Sequence, residues 1–559
     1  MNCSNLSPPT RRTVDLAWQL YKVVLYTLVA LCADSVKAIE DPHQVNQFTL
    51  ALLDGETWWG GAVAESAAMP FGARSYSINL LGDCKGNQAQ PMLLSSHGRY
   101  VWCDHPLAFE YAGNSLTGSS QSSPVETGRH GSTLREAYLA ISRKQFPPSG
   151  STPNSLLFTQ PQYNTWIELM YDQNESDVLA YANAIRKHDF PPGVLMIDDN
   201  WQEDYGSWTF KARAFKDPEK MIRQLHTMGF KVMLWVCPYV SADSAVYRQL
   251  REKGYLVCDS NSHGRPAMIE WWNGTSAAID LLNPLASQWF LDQLKNLQEK
   301  YSVDGFKFDG GDAEHFVNIN STNGTPYANS YSEAYARVGL AFPLNEYRAC
   351  WKMGGQPLAQ RLRDKRHAWD DLQQLIPGIV TQGLMGYAFT CPDMIGGGEY
   401  GSFLDLKEVD QQLVVRSAQC QALMPMMQFS VAPWRVLDAE HLKYCLEAAN
   451  LHKAMGDEIF GLAQESARTG EPVVRPLEYE FPHQGYAAVI DQFMLGSNIM
   501  VAPVLQKDTV RRRVMIPSGS WQGDDGSIIE GPASLEIDAP LGRLPWFRRI
   551  QAKINEGSQ

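Results

Sequence analysis

Between residues 158 and 449, short apolar runs alternate with stretches of helical periodicity, and this alternation restricts the fold of the 559-residue chain more than any other feature. The helical patterns are DVLAYANAIRKH (177–188), PEKMIRQLHTMG (218–229) and SQWFLDQLKNLQEKY (287–301). Around them lie the apolar runs GVLMIDDNWQ, FKVMLWVCPYV, VDGFKFDGGD and GLMGYAFTCPDMIGGG. Repeated strand–helix units of this kind predict a parallel (β/α)8 TIM barrel, assigned to residues 156–450.

The flanks have a different texture. Residues 41–155 are rich in Gly, Ser, Thr and aromatics, and WWGGAVAE, YSINLLGD and GRYVWCDH read as short strands joined by turns. No long-helix periodicity is visible there, so an N-terminal β-rich domain is expected. Past Gly470 the runs VVRPLEYEF, QFMLGSNIMVAPVL and RRVMIPSGSW read as a C-terminal β domain, assigned to 451–559.

Charge and cysteine usage narrow the function classes. The chain has 48 Lys+Arg against 61 Asp+Glu, a net charge of −13, and no extended basic run. Phosphate binding needs clustered Lys and Arg, so nucleic acid is excluded as a partner. Residues 511–513, Arg-Arg-Arg, read as a solvated strand edge. Ten cysteines without C-x-x-C spacing offer neither a zinc knuckle nor a dithiol motif. Cys84 and Cys103 are close enough to pair in an oxidising compartment; buried free thiols are the alternative. No His, Cys and carboxylate set has metal spacing, so neither metal nor cofactor is expected.

At the N-terminus, Arg11 and Arg12 precede VVLYTLVAL and then CADSVKA. A basic start, a short apolar run and small residues suggest a signal peptide or anchor-like segment over residues 1–40, with an amphipathic helix as the alternative. Membrane contact is expected only if that segment is an uncleaved anchor. Six N-x-S/T triplets, at Asn2, Asn5, Asn174, Asn273, Asn320 and Asn323, agree with a glycoprotein of the secretory pathway or extracellular space.

Polar and aromatic residues collect where the central apolar runs end: Asp198, Asp199, Trp201, Trp235, Asp309 and Asp393. In a TIM barrel the active site forms at the C-terminal ends of the strands. One Asp at a strand end is usually a turn or helix cap; several in register with a barrel pattern point to a carbohydrate site. There, some carboxylates act on the glycosidic bond, others hold hydroxyls, and aromatic faces stack on sugar C–H surfaces. Trp166, Trp201 and Trp235 are the candidate stacking wall, with core packing as the alternative. Lys307 lies two residues before Asp309, on the same strand face, and either keeps Asp309 ionised or forms an ion pair beneath the site. Asp312 bonds the sugar or caps the next turn, Glu314 and His315 are loop residues, and Gly310 and Gly311 leave room for a sugar to approach the backbone.

GFKFDGGD, the segment 348–377, CPDMIGG and DQFMLGSNIMVAPVL resemble glycoside hydrolase family 31, over most of the chain from about Thr57 on. The KFD form resembles the family's α-galactosidase-like branch rather than the W-x-D-M-N-E form of its α-glucosidases. The resemblance implies that Asp309 is the nucleophile. It implies that Asp364, five residues before Trp369 and twelve before Ile376, is the acid/base, with Asp370 and Asp371 as rivals at the following helix start. It further implies that Arg348, sixteen residues before Asp364, contacts the sugar, that Asp198 or Asp199 holds its hydroxyls, and that Asp393 belongs to the binding site. Three features depart from the family: RLRDKR replaces W-x-G-D-N, CPDMIGGGE replaces G-x-D-I-G-G-F, and the N-terminal β domain is short. The activity implied is retaining exo-hydrolysis of α-linked sugars by two carboxyls ~5–5.5 Å apart. An α-galactoside is the first choice, and α-glucosides and α-xylosides remain open. A non-catalytic glycan-binding descendant is the reading from another class.

Overall fold

A computed structural model describes residues 43–550, apart from positions 73, 262, 263, 325, 405 and 407. The expected signal or anchor segment, with Asn2 and Asn5, lies outside the described residues. Among the described residues no helix is long and apolar enough to cross a membrane.

The centre is a barrel of eight parallel strands. In chain order they are Gln162–Asn164, Val194–Ile197, Lys231–Val236, Gly305–Phe308, Asn345–Tyr347, Gln360–Arg361, Thr390–Cys391 and Gln428–Phe429. The eighth strand pairs with the first, and a parallel bridge between Met394 and Gln428 closes the ring. The helices behind the strands form where their sequences allow. Glu175–Lys187 is capped by the Asn174 side chain, which accepts from Asp177 N–H, and buries Val178, Tyr181, Ala182 and Ile185 on one face. Pro218–Thr227 and Pro284–Tyr301 begin on proline behind an Asp or Asn cap, where a missing N–H leaves no helical bond unmade.

Register decides which side chains meet. Trp235 stands beside Lys307, and Lys307 beside Glu346. Lys307 therefore points into the barrel while its neighbours Phe306 and Phe308 pack outward, Phe308 stacking on Tyr347 at 4.6 Å.

The N-terminal domain is β-rich as expected, with two antiparallel sheets, but it also holds the helix Leu134–Gln145. Its start is a capping box between Thr133 and Glu136, a local signal that hydrophobic periodicity does not carry. After the fifth barrel strand the chain leaves the barrel. Cys350–Trp351 adds parallel to Gln88–Ser95 of the N-terminal sheet, and the chain then returns as the sixth strand. The side-chain amides of Asn87 and Gln88 donate to the carbonyls of both Arg348 and Arg361. The accessory domain thus grips the backbone of two barrel arginines.

The helix Ala439–Thr469 runs through the expected junction at residue 450 and ends on Gly470, whose φ of 83° suits a residue without Cβ. The C-terminal sheet begins beyond it, with six strands and its own core around Leu477, Met494, Met500, Trp521 and Phe547. VVRPLEYEF is a two-residue strand followed by the helix Leu477–Glu480, because Pro476 ends the strand and starts the helix. Residues 511–513 lie in the strand Arg511–Gly523, as expected. Cys84 and Cys103 are both buried free thiols; Cys84 accepts from Asn329 Nδ2 and Cys103 lies against the Pro124 carbonyl.

Candidate active site

The C-terminal strand ends open into one cavity of about 530 Å³. Asp198, Asp199, Trp235, Lys307, Asp309, Arg348 and Asp364 line it, together with Trp166, Tyr171, Trp272, Asn273, Glu399 and Tyr400.

Asp309 follows the fourth strand and is held on both oxygens. Oδ1 accepts from Arg348 Nε at 2.9 Å and from Gly310 N–H at 3.0 Å; Oδ2 accepts from Trp235 Nε1 at 3.0 Å. Burial alone would raise its proton affinity. The charges of Arg348, Lys307 and Arg361, with the Arg348 hydrogen bond, overcome burial and hold the carboxyl well below the usual range. Arg348 is itself held by Asp312, whose Oδ2 accepts from Nη2 at 2.8 Å. Asp312 is buried and serves the arginine rather than the cavity.

Lys307 Nζ meets Asp198 Oδ2 at 2.6 Å, with both side chains almost fully buried. Its two sequence readings coexist: it pairs with Asp198 and its charge also lowers Asp309. Among the described residues no cation forms an ion pair with Asp199. Gln202, Tyr205 and Asn273 donate to it, and burial, reinforced by the neighbouring Asp198 charge, pushes it up to about 7.

Asp364 is the most accessible of these carboxyls, with 39% of its side chain exposed. It pairs with Arg361. Its sequence rivals Asp370 and Asp371 lie outside the cavity, paired with Arg366. Asp393 differs from expectation. It is fully buried behind Arg361 and does not line the cavity; Oδ1 accepts from Arg361 Nη1 at 2.9 Å and Oδ2 from Lys365 N–H at 2.7 Å. Its φ of 86° is a strained conformation for a residue with a Cβ.

The tryptophan wall also changes. Trp201 is in the core, 0% exposed, donating to the Trp235 carbonyl and packing on Phe210. The chain turns back into the Gln202–Asp204 strand directly after it, which drives the indole inward. Trp235 reaches Asp309 with its indole N–H. Trp166 lines the cavity within a cluster with Tyr171 and Tyr400. Gly310 and Gly311 do not make room for a ligand. Their φ values are 69° and 73°, and the rings of Tyr239 and Tyr335 occupy the space where a Cβ would stand. Glu314 and His315 sit beside the site on a short 3-10 turn, His315 Nδ1 within hydrogen-bond distance of the Tyr239 hydroxyl at 2.6 Å.

Several site residues escaped the sequence reading, Tyr171, Glu399, Tyr400, Arg361, Trp272 and Asn273 among them. Arg361 lay in plain view in RLRD, as part of the departure from W-x-G-D-N. Trp272 and Asn273 form the two-residue tip of the hairpin Ile269–Trp271/Gly274–Ala278, hung over the cavity after the third strand. The Asn-Gly step was a hairpin signal. Asn273 was instead counted as a glycan acceptor. Its Nδ2 is committed to Asp199 at 2.8 Å and to the Tyr205 hydroxyl at 2.7 Å, inside the cavity, so a sugar cannot be attached there without dismantling the site.

The sequence matches the family profile "Glycosyl hydrolases family 31 TIM-barrel domain" over residues 157–444 and "Glycosyl hydrolase family 31 C-terminal domain" over 470–552. The chain belongs to glycoside hydrolase family 31. Among its relatives, the myogenesis-regulating glycosidase of Mus musculus is 32% identical over 424 residues, 74% of this chain and 59% of that protein. Alpha-xylosidase XylQ of Lactiplantibacillus pentosus is 25% identical, covering 80% of this chain and 60% of that protein. The chain thus spans about 60% of the length of these curated relatives. The fold is shared with the Flavobacterium johnsoniae family 31 dextranase solved with glucose, at a TM-score of 0.82 and 19% identity, covering 91% of this chain and 67% of that one.

Proposed function

We propose that this family 31 protein is a retaining exo-α-glycosidase, with terminal α-galactosides as its first-choice substrate. One observation carries the reading: Asp309 and Asp364 line the same cavity in contrasting surroundings. Asp309 is clamped by charged and neutral donors in its ionised form; Asp364 stands half-exposed at the mouth, open to a leaving group. On Asp309, Oδ1 already accepts two donors and Oδ2 only one, so Oδ2 keeps a lone pair to attack the anomeric carbon. Asp364 protonates the departing oxygen, then takes a proton from the incoming water. The Lys307–Asp198 pair and Asp199 supply the fixed polar groups against which sugar hydroxyls bind. The KFD motif supports galactose; the 25% identity to an alpha-xylosidase supports an α-xyloside as the second reading.

The test is hydrolysis of aryl α-galactoside, α-glucoside, α-xyloside and α-N-acetylgalactosaminide by wild type, Asp309→Asn and Asp364→Asn. Turnover of one substrate is expected. It should vanish in Asp309→Asn and fall by roughly 10²–10⁴-fold in Asp364→Asn on poor leaving groups. No turnover of any α-glycoside would favour the glycan-binding reading. Loss in Asp370→Asn with retention in Asp364→Asn would move the acid/base.

A further inference from the structure

Arg361 ends the sixth barrel strand with only 1% of its side chain exposed, and three carboxyls converge on it. Nη1 meets both Asp364 and, at 2.9 Å, Asp393 Oδ1; Nε faces Glu346 Oε1 at 3.3 Å. Glu346 and Asp393 are each 1% exposed. One donor nitrogen shared by two carboxyls brings Asp364 and Asp393 side by side. Like charges brought that close, with one of the two fully buried, resist being ionised together.

We propose that Arg361 is the positioning residue of the acid/base, holding Asp364 against Asp393 so that the two carboxyls share one proton, the proton delivered to the leaving group. The proposal rests on the retaining-glycosidase reading and deepens it. In the first half-reaction the bond from the anomeric carbon to the leaving oxygen breaks as the Asp309 ester forms, and the shared proton passes from Asp364 to that oxygen. The pair then carries two negative charges, facing Arg361 and Lys365. In the second, a water oxygen bonds to the anomeric carbon, the ester breaks, and the water's proton returns to Asp364.

The charges around the pair oppose one another. Asp364 faces Arg361, Asp393 and Lys365, with the Arg348 charge beyond; Asp393 faces Arg361, Lys365 and Asp364. Arg361 also faces Glu346, and further off Asp309 and Lys307. Burial pushes Asp393 up to about 7; Arg361 and Lys365 oppose that and the Asp364 charge adds to it.

The test compares kcat/KM against pH for wild type, Arg361→Lys and Asp393→Asn, on an alkyl α-glycoside and on the matching α-glycosyl fluoride, whose departure needs little protonation. Asp393→Asn should move the basic limb to lower pH by about one unit or more, because Arg361 then acts on Asp364 unopposed. Arg361→Lys keeps the charge and loses the fork. It should slow the alkyl glycoside by roughly 10–100-fold, short of full loss of the acid, and leave the fluoride nearly unchanged. Equal losses on both substrates with an unmoved basic limb would make Arg361 merely structural and overturn the proposal. A second readout is independent of turnover: infrared titration of the carboxylic acid C=O band, with Asp199→Asn as the background. A band that titrates near neutrality in wild type and is lost in both Asp364→Asn and Asp393→Asn is expected, even if no glycoside is hydrolysed. Its absence from wild type, or its survival in both variants, would refute the shared proton.

Discussion

Asp199 is buried and Asp309 largely so at the same barrel mouth, and their surroundings drive their protons in opposite directions. Burial raises both. At Asp309 two arginines and a lysine more than reverse it; at Asp199 the groups in hydrogen-bond contact are neutral, and the carboxyl reaches about 7. The consequences for stability have opposite signs. Asp309 contributes stability that is present above its unfolded value near 3.8 and is lost as pH falls through its depressed folded value. Asp199 binds its proton more tightly folded than unfolded, so it removes stability as pH rises from about 3.8 to about 7. Asp199→Asn should therefore gain stability over wild type, little near pH 4 and on the order of 4 kcal/mol above pH 7. Denaturant melts at about pH 5 and pH 8 measure this; an equal difference at both would mean that ionising Asp199 is not penalised in the fold.

At the scale of elements, the turn after the fourth strand aims Asp309. Gly310 and Gly311 both take positive φ, and a Cβ on Gly310 would stand 2.7 Å from the Tyr239 ring. Gly310→Ala should cost about 1–3 kcal/mol through backbone strain and collision. It should also lower kcat more than KM, since it displaces the proposed nucleophile and not the binding groups. Wild-type kcat in a folded variant would separate the turn from the aim of Asp309. The strands themselves were unequally legible. The second, third and fourth are apolar runs that end in acids or a tryptophan. The fifth, sixth and eighth read NEY, QR and QF. They are two or three residues long and polar, because Glu346, Arg361 and Gln428 fill the barrel interior with a network, Gln428 Nε2 donating to Glu346 Oε2 at 2.7 Å. No hydrophobic periodicity can report a strand whose inward face is charged.

At the scale of the molecule, both accessory domains act on the barrel. The N-terminal amides of Asn87 and Gln88 fasten the backbone of the two site arginines. On the other side Arg416, 3% exposed, donates to the carbonyls of Thr509, Ala539 and Arg543, and Gln419 to that of Leu541. Arg416→Met would leave these buried acceptors unmet, at about 1–3 kcal/mol. It is expected to lower the unfolding midpoint while leaving kcat/KM unchanged, since Arg416 touches nothing in the cavity. A fall in kcat/KM at a temperature where the variant is folded would show that the C-terminal sheet shapes the site. The secretory address stays a proposal, with Asn273 removed from the triplets that support it.

The sequence alone determined the strand–helix alternation and the strand ends that carry Asp198, Asp199 and Asp309; the resemblance to the family singled out Arg348 and Asp364 by their spacing. These are local signals, written in periodicity and in a few adjacent residues. Only the tertiary structure decided that Trp201 is core, that Asp393 lies behind Arg361, that Asn273 holds Asp199, and that the glycines after Asp309 accommodate tyrosines. Each of these depends on a contact between residues distant in the chain, such as Asn273 with Asp199 or Arg361 with Asp393. Barrel closure and strand register create those contacts, and neither is encoded in the pattern of any one segment.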